Sequence, residues 1–446
     1  MTAGASVQRR GACPGLSVPM PTGDGLLARL RPIGTIALDA FAELCAAART
    51  HGNGIIEVTG RGSIQVRGLN PASAPRFAAA IAALGIGAED GIAVLTNPLA
   101  GIEAEEILDI TTLAADLRRT LAQASMAARL APKISIVIDG GALDLDDLAA
   151  DLRLRAEIID RSVRLRVSVG GDRARAVELG AVAPAHGVDA AMRMLEVIAR
   201  RGRDARARDI LVSEGAAPFR EALSSCSALG RVSTSYPRTE TKEVDGRLKP
   251  GHDGGDTRRK AIGTHLLRDG SLACGIGLGF GHADAPSLQS LIEAAAAAGA
   301  AGVRAASPRV LMTIGLTGET IASFAAAAEQ LGFIVRADDP RRYIIACAGA
   351  PVCTSAHIAA RAIAPLVAKT AAPLIGRDFT IHISGCTKGC AHPAQAPLTV
   401  VGKAEGCALI TNGSAGSRPD AVVPASELPE AIARAARRFV AQARHD

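Results

Sequence analysis

The residues best able to do chemistry are four cysteines late in the chain. Cys347 and Cys353 are separated by five residues in YIIACAGAPVC (343 to 353), and Cys386 and Cys390 by three in ISGCTKGCAHP (383 to 393). Each pair comes after a short apolar segment of the kind that forms a strand entering a loop. A tetrahedral zinc site closes tight knuckles with two-residue gaps, and neither pair has one. Four thiolates on two loops suit a four-iron cluster, which tolerates varied spacing. Gly349, Gly385 and Gly389 let the backbone come close to such a group, and their amides could donate to its sulfurs. Four structural thiols are the alternative. The other five cysteines, Cys13, Cys45, Cys226, Cys274 and Cys407, stand singly and read as small buried residues.

Nine cysteines spread over 446 residues make a poor disulfide framework, so reduced thiols are the default. A formal charge of +6 and a pI near 9.0 point to an anionic partner, yet no block of like charges appears. With no Trp and two Tyr, stacking platforms for bases are scarce, so an anionic small molecule is expected and nucleic acid is not. The opening MTAGASVQRR lacks the apolar core of a signal peptide, and no apolar run reaches membrane-spanning length. The expectation is a soluble, cytoplasmic protein with no membrane partner.

The elements that position the cysteines are repeated. Residues 26 to 85 read as strand (LLARLR), helix (LDAFAELCAAART), two strands (IIEVTG, IQVRGL) and helix (APRFAAAIAALG). Residues 274 to 332 read the same way, through CGIGLGF, SLQSLIEAAAAAG, VRAAS, VLMTIGL and ETIASFAAAAEQLG. Gly68-Leu69 with Gly315-Leu316, and Leu84-Gly85 with Leu331-Gly332, stand at one constant offset, the mark of a duplication. The segments C-terminal to the two copies also correspond: IAVLTNPLAGI with YIIACAGAPVC, and KISIVIDGG (133 to 141) with FTIHISGC (379 to 386). A polar, Gly- and Pro-rich stretch from 230 to 260 reads as the linker. The expected architecture is α+β with pseudo-two-fold symmetry. Its parts are a half module (1–89), a larger domain lacking the cysteine set (90–229), the linker (230–260), a second half module (261–338) and the cysteine-bearing domain (339–446). A ligand is expected where the halves meet.

These features resemble the sirohaem-dependent sulfite and nitrite reductases, whose half modules are ferredoxin-like. VTGRGSIQVRG (58 to 68) is similar to that family's T-x-R-x3-Q strand, NPLAG (97 to 101) to its PLAG loop, and LAPKISIVIDGG (130 to 141) to its L-P-x-K-F strand. The resemblance implies that Cys347, Cys353, Cys386 and Cys390 hold a 4Fe-4S cluster. It also implies four basic side chains for a small oxyanion, of which Arg61 and Lys133 match two, while the other positions hold Ile92 and Ser135. Half of that positive charge is missing, so sulfite is not the expected ligand and sirohaem is not expected to be retained.

Lys388 and His392-Pro393 in the GCTKGCAHP segment, with an early CPG from Cys13 to Gly15, instead resemble the precorrin-3B synthase branch, monooxygenases of aerobic cobalamin biosynthesis. That resemblance implies precorrin-3A and dioxygen as substrates, hydroxylation at C20 with closure of a γ-lactone, and electrons from NAD(P)H through a partner reductase. It further implies a mononuclear non-haem iron as a second centre, with His392 as candidate ligand or acid-base catalyst and His382 as a lesser candidate. Arg61, Gln65, Arg67, Lys133, Arg309 and Lys388 are the candidates for holding the substrate. Arg61 and Arg67 are expected on one face of a single strand, because an even count separates them.

Overall fold

The computed structural model describes residues 14–143, 145–227, 260–372 and 379–442. Cys13 and residues 230–259 of the expected linker lie outside the described residues, as does the side chain of Cys226. The chain divides into two compact units, one made of Pro14–Gly87 with the chain from Cys274 onward, the other of Ala88–Ala273.

Both copies of the repeat lie in the first unit, apart from Leu272 and Ala273 at the start of the second copy. The first runs Gly25–Leu30, Leu38–His51, Ile55–Val58, Ile64–Leu69 and Ser73–Ala83; the second runs Leu272–Gly277, Ala285–Ala297, Gly302–Ala306, Val310–Leu316 and Ile321–Gln330. Phe41, Leu44, Cys45, Ala47 and Ala48 turn one face of the first helix inward, at the spacing of a helix stripe. The helix Ala285–Ala297 starts where Asp284 accepts a hydrogen bond from Ser287 N–H at 2.8 Å, with Pro286 in its first turn. Gly68 and Gly315 show the duplication at the level of the backbone. Both are left-handed, with φ of +73° and +87°, where the segment after each helix crosses the second strand of its hairpin. Asn53 N–H donates to Arg67 O at 3.0 Å, and Ala301 N–H to Ile314 O at 2.8 Å. A Cβ would come within 2.5 Å of Asn53 Cβ at the first glycine and 3.0 Å of Ala301 Cβ at the second. The copies join through the strand His282–Asp284, which pairs antiparallel with Ile55–Val58 and sets His282 opposite Glu57.

The rest of the first unit is a five-stranded sheet in the order Ile344–Ala346, Ile381–Ser384, Ala396–Lys403, Gly406–Gly413, Ala421–Val423. Its first two pairings are parallel and its last two antiparallel, so that only Gly406–Gly413 runs against the others. Ile381, Ile383, Leu398 and Val400 pack with the helices Ala360–Ala371 and Leu428–Gln442. The second unit contains a sheet of the same order and sense: Ala93–Thr96, Ser135–Asp139, Ala150–Ile159, Ser162–Gly171, Val177–Val182. Thus Ser135–Asp139 and Ile381–Ser384, matched in the sequence by their apolar pattern, hold the same place in their sheets.

Cys45, Cys274 and Cys407 are buried, and burial pushes the first thiol up to about 12 and the second to about 11. Such thiols stay protonated and inert. Among the described residues no helix is long and apolar enough to cross a membrane.

Candidate functional site

The four late cysteines sit on two loops at the carboxyl ends of adjacent parallel strands, where open sheets bind their ligands. Cys347 comes directly after Ile344–Ala346, its N–H donating to Ile383 O at 3.1 Å, and Cys386 lies just past Ile381–Ser384. Cys347, Cys353 and Cys386 are half-buried and Cys390 is exposed. Burial raises the Cys347 thiol, as do Cys390 and Cys353, while the amides of Gly385 and Gly349 pull it back. Burial also raises Cys390, opposed by the charge of Arg67, with Cys386 and Cys353 adding to the rise. The thiols are therefore within electrostatic reach of one another, and Gly385 N–H already donates to Cys347 Sγ at 3.0 Å. A third loop closes in: Thr354 donates to Gly23 O through N–H at 3.0 Å and Oγ1 at 3.1 Å. Gly23 is pressed so close that a Cβ there would overlap Cys353 Sγ.

This donor set fits an iron-sulfur cluster. Four thiols, two backbone amides directed at one sulfur and the cation of Arg67 favour thiolate ligands and anionic sulfur. Among the described residues no three His, Cys, Asp or Glu side chains, the four thiols included, stand grouped to hold a metal ion as they are placed here. His392 faces His382 edge-on, with ring centroids 5.6 Å apart, and its Nε2 lies 3.3 Å from Gln395 O.

Two of the substrate-binding expectations need correction. Arg61 and Arg67 do not share a strand face, because Arg61 lies in the turn closed by Gly62 N–H to Thr59 O at 3.0 Å and the strand begins at Ile64. Nor is Arg67 available to a substrate carboxylate. It is paired with Asp24 at 3.1 Å and Glu57 at 3.2 Å, and Arg361 reaches the same Glu57 oxygen at 2.9 Å. Gln65, with its amide oriented to satisfy both neighbours, donates to Glu57 Oε2 at 3.1 Å and accepts from Arg29 at 2.6 and 2.9 Å. Both residues belong to a buried charge network that braces the sheet beside the cysteines. Asp24, Glu57 and Arg361 were not picked out from the sequence, since nothing local marks cross-strand partners.

Arg61 is exposed at its turn, and exposed Lys388 donates from Nζ to Ser355 Oγ at 2.6 Å, across to the loop of Cys353. Arg309 extends past Gly60 and Gly281 in the first unit. Lys133 belongs to the second unit and is exposed in the turn before Ser135–Asp139. Ile92 and Ser135, at the positions where the reductases carry basic side chains, are 9% and 1% exposed, and Ile92 lies in the apolar core of that unit.

In the second unit the counterpart of the cysteine loops is filled by polar side chains. Ile107 N–H donates to Gly140 O at 2.9 Å as His357 N–H does to Gly385 O at 2.8 Å, and Glu103 N–H donates to Leu99 O at 3.0 Å as Cys353 N–H does to Gly349 O at 2.8 Å. Asn97 and Glu103 therefore occupy the places of Cys347 and Cys353, with the same five-residue gap, and Asn97 Nδ2 donates to Glu103 Oε2 at 3.1 Å. That equal gap was the signal in the sequence. Nearby Glu106 is raised to about 7, chiefly by burial, although Gly101 N–H and Arg268 stabilise its anion. A carboxyl raised in the fold adds stability below its unfolded value and loses it as pH rises through the folded one. The protein should accordingly lose roughly 3 kcal/mol between about pH 4.5 and 7, and Glu106→Gln should flatten that slope in denaturation midpoints.

Comparison with known proteins agrees with this architecture. The family described as nitrite/sulfite reductase ferredoxin-like half domain matches residues 18–84. Among solved structures, the Mycobacterium tuberculosis NirA protein superimposes with a TM-score of 0.69 at 19% identity, covering 93% of this chain and 81% of that one, which establishes a shared fold. A curated relative from Sinorhizobium sp, named precorrin-3B synthase, is 38% identical over 432 residues, 96% of this chain and 88% of the relative. At that identity and coverage, the chain belongs to the precorrin-3B synthase family.

Proposed function

We propose that this enzyme is an oxygen-dependent monooxygenase that converts precorrin-3A to precorrin-3B in aerobic cobalamin biosynthesis. The observation that carries the reading is full-length similarity to a precorrin-3B synthase, with all four thiols on two neighbouring strand ends. Dioxygen, two electrons and two protons are consumed; one oxygen atom enters the substrate at C20, the other leaves as water, and the ring A acetate closes onto C1. Cys347, Cys353, Cys386 and Cys390 would hold a 4Fe-4S cluster, which supplies one-electron transfer. The electrons come from NAD(P)H through a reductase, in the cytoplasm. A second iron has no ligand set among the described residues, and no step is assigned to it.

The chain's own task is to hold an octacarboxylate macrocycle. Arg61 on its exposed turn, Arg309 and Lys388 supply the cations, Arg61 by its place in the T-x-R-x3-Q motif. His392, beside the loop of Cys390, is the group assigned to proton transfer. Arg61→Ala should weaken tetrapyrrole binding about tenfold, the worth of one charge-assisted hydrogen bond, and leave iron and sulfide content unchanged. Unaltered affinity would remove Arg61 from the substrate site.

A further inference from the structure

The first repeat opens with a hairpin whose tip is in an unusual place. Met20–Thr22 pairs antiparallel with the start of Gly25–Leu30, Thr22 opposite Gly25, so Gly23 and Asp24 form a two-residue turn. Such a tip is ordinarily the most solvated part of a hairpin. Here the Asp24 side chain is 2% exposed, and Gly23 lies so close to Cys353 that any side chain would overlap Sγ, with Ser355 Oγ 3.5 Å from the same point. The second repeat gives the contrast. Gly270, at the constant offset that relates Gly68 to Gly315, stands in the matching turn, where Leu267 N–H donates to Ser271 O at 2.9 Å. A Cβ there would meet nothing within 4 Å, and its left-handed φ of +84° is what calls for glycine. Gly23 has no left-handed φ, so the cysteine sulfur alone excludes a side chain.

The tip is held from both sides. Gly23 O accepts from the N–H and the hydroxyl of Thr354, the residue after Cys353. Asp24 Oδ1 accepts from Arg67 Nη1 at 3.1 Å and Thr22 Oγ1 at 2.8 Å. Arg67 continues through Glu57 to Arg361, at the head of the helix Ala360–Ala371 that follows the Cys353 loop. Ser355, the tip's other neighbour, accepts from Lys388 at 2.6 Å, which ties the same place to the loop of Cys386 and Cys390. These contacts lay one residue without a side chain flat against one sulfur.

We infer that the Gly23–Asp24 turn is a fixed cover over the Cys353 side of the cluster site, which keeps dioxygen from the sulfur edge there. This rests on the proposed function, in which a dioxygen-consuming enzyme carries a cluster. One electron lost to dioxygen, which leaves as superoxide, is enough to start the release of iron from an accessible cluster of this kind. Backbone packed onto the sulfur closes that approach by filling the space. Gly23 and Thr354 are positioning residues for the cover.

The test compares the lifetime of the visible cluster absorbance in air and under argon, in full-length protein purified without air. Thr354→Val removes one of the two hydrogen bonds on Gly23 O, and Gly23→Ala must lift the turn off the sulfur. Thr354→Val should start with wild-type iron and sulfide content and lose its absorbance in air about threefold to tenfold faster, the effect of one hydrogen bond on a local opening. Gly23→Ala should be the more air-sensitive of the two, and under argon Thr354→Val should match the wild type. Wild-type lifetimes in air for both variants would overturn the cover. So would a Thr354→Val loss hastened equally under argon, which would show a turn that only braces Cys353. Wild-type protein that holds no iron and sulfide would overturn the proposed function, and the cover with it.

Discussion

If Cys386 holds the proposed iron-sulfur cluster, Cys386→Ser should lose the cluster and the activity together, while the sheet beneath it stays folded. The loop is fixed independently of the thiol, by the Ser384 hydroxyl donating to Cys386 O at 2.7 Å and by Gly385 N–H on Cys347 Sγ. Ile381 and Ile383, both 0% exposed, anchor the strand from the other side. Serine keeps the shape but offers a hydroxyl that does not ionise near neutral pH, so the set loses one of four thiolates. Activity should fall to the level of cluster-free protein, with a thermal midpoint like that of the wild-type apoprotein. Full iron and sulfide content in the variant would show that Cys386 is not a ligand.

The largest loss of stability is expected from Arg67→Ala. The Arg67 and Asp24 side chains are 8% and 2% exposed, and removing the cation takes from Asp24 its ion-pair partner, leaving it the Thr22 hydroxyl at 2.8 Å, while Glu57 keeps Arg361 and Gln65. Breaking a buried pair in this way costs about 3–5 kcal/mol, which lowers the thermal midpoint by about 10 °C in a unit of this size. Position adds a second effect. The Arg67 charge favours the Cys390 thiolate, so its loss should also lower the reduction potential of the cluster. Neutralising Asp24 as well, in Arg67→Met with Asp24→Asn, and leaving Glu57 to Arg361, should recover most of the stability but not the potential. A midpoint unchanged in Arg67→Ala would mean that the network carries no net stability.

Much of this organisation is legible in the residues themselves. The duplication shows because each copy keeps the same apolar periods and the same left-handed glycines, Gly68 and Gly315. The cysteine pairs show because a strand leading into a glycine-rich loop is a local pattern. Polar groups whose partners lie far along the chain could not be read in this way. Arg67 meets Asp24 and Arg361 meets Glu57 through sheet pairing and loop packing. Period two failed between Arg61 and Arg67 because a turn, not a strand, occupies the interval.

Insertion of one atom of dioxygen into precorrin-3A is the step on which the proposed function stands. Mass spectrometry can follow it directly, in the product formed by anaerobically purified protein given precorrin-3A, an electron donor and isotopically labelled dioxygen. The product should be heavier by one labelled oxygen atom, formed by wild type and absent with Cys386→Ser. Unchanged substrate in the presence of an intact cluster and a working electron donor, or a product whose new oxygen comes from water, would contradict that function.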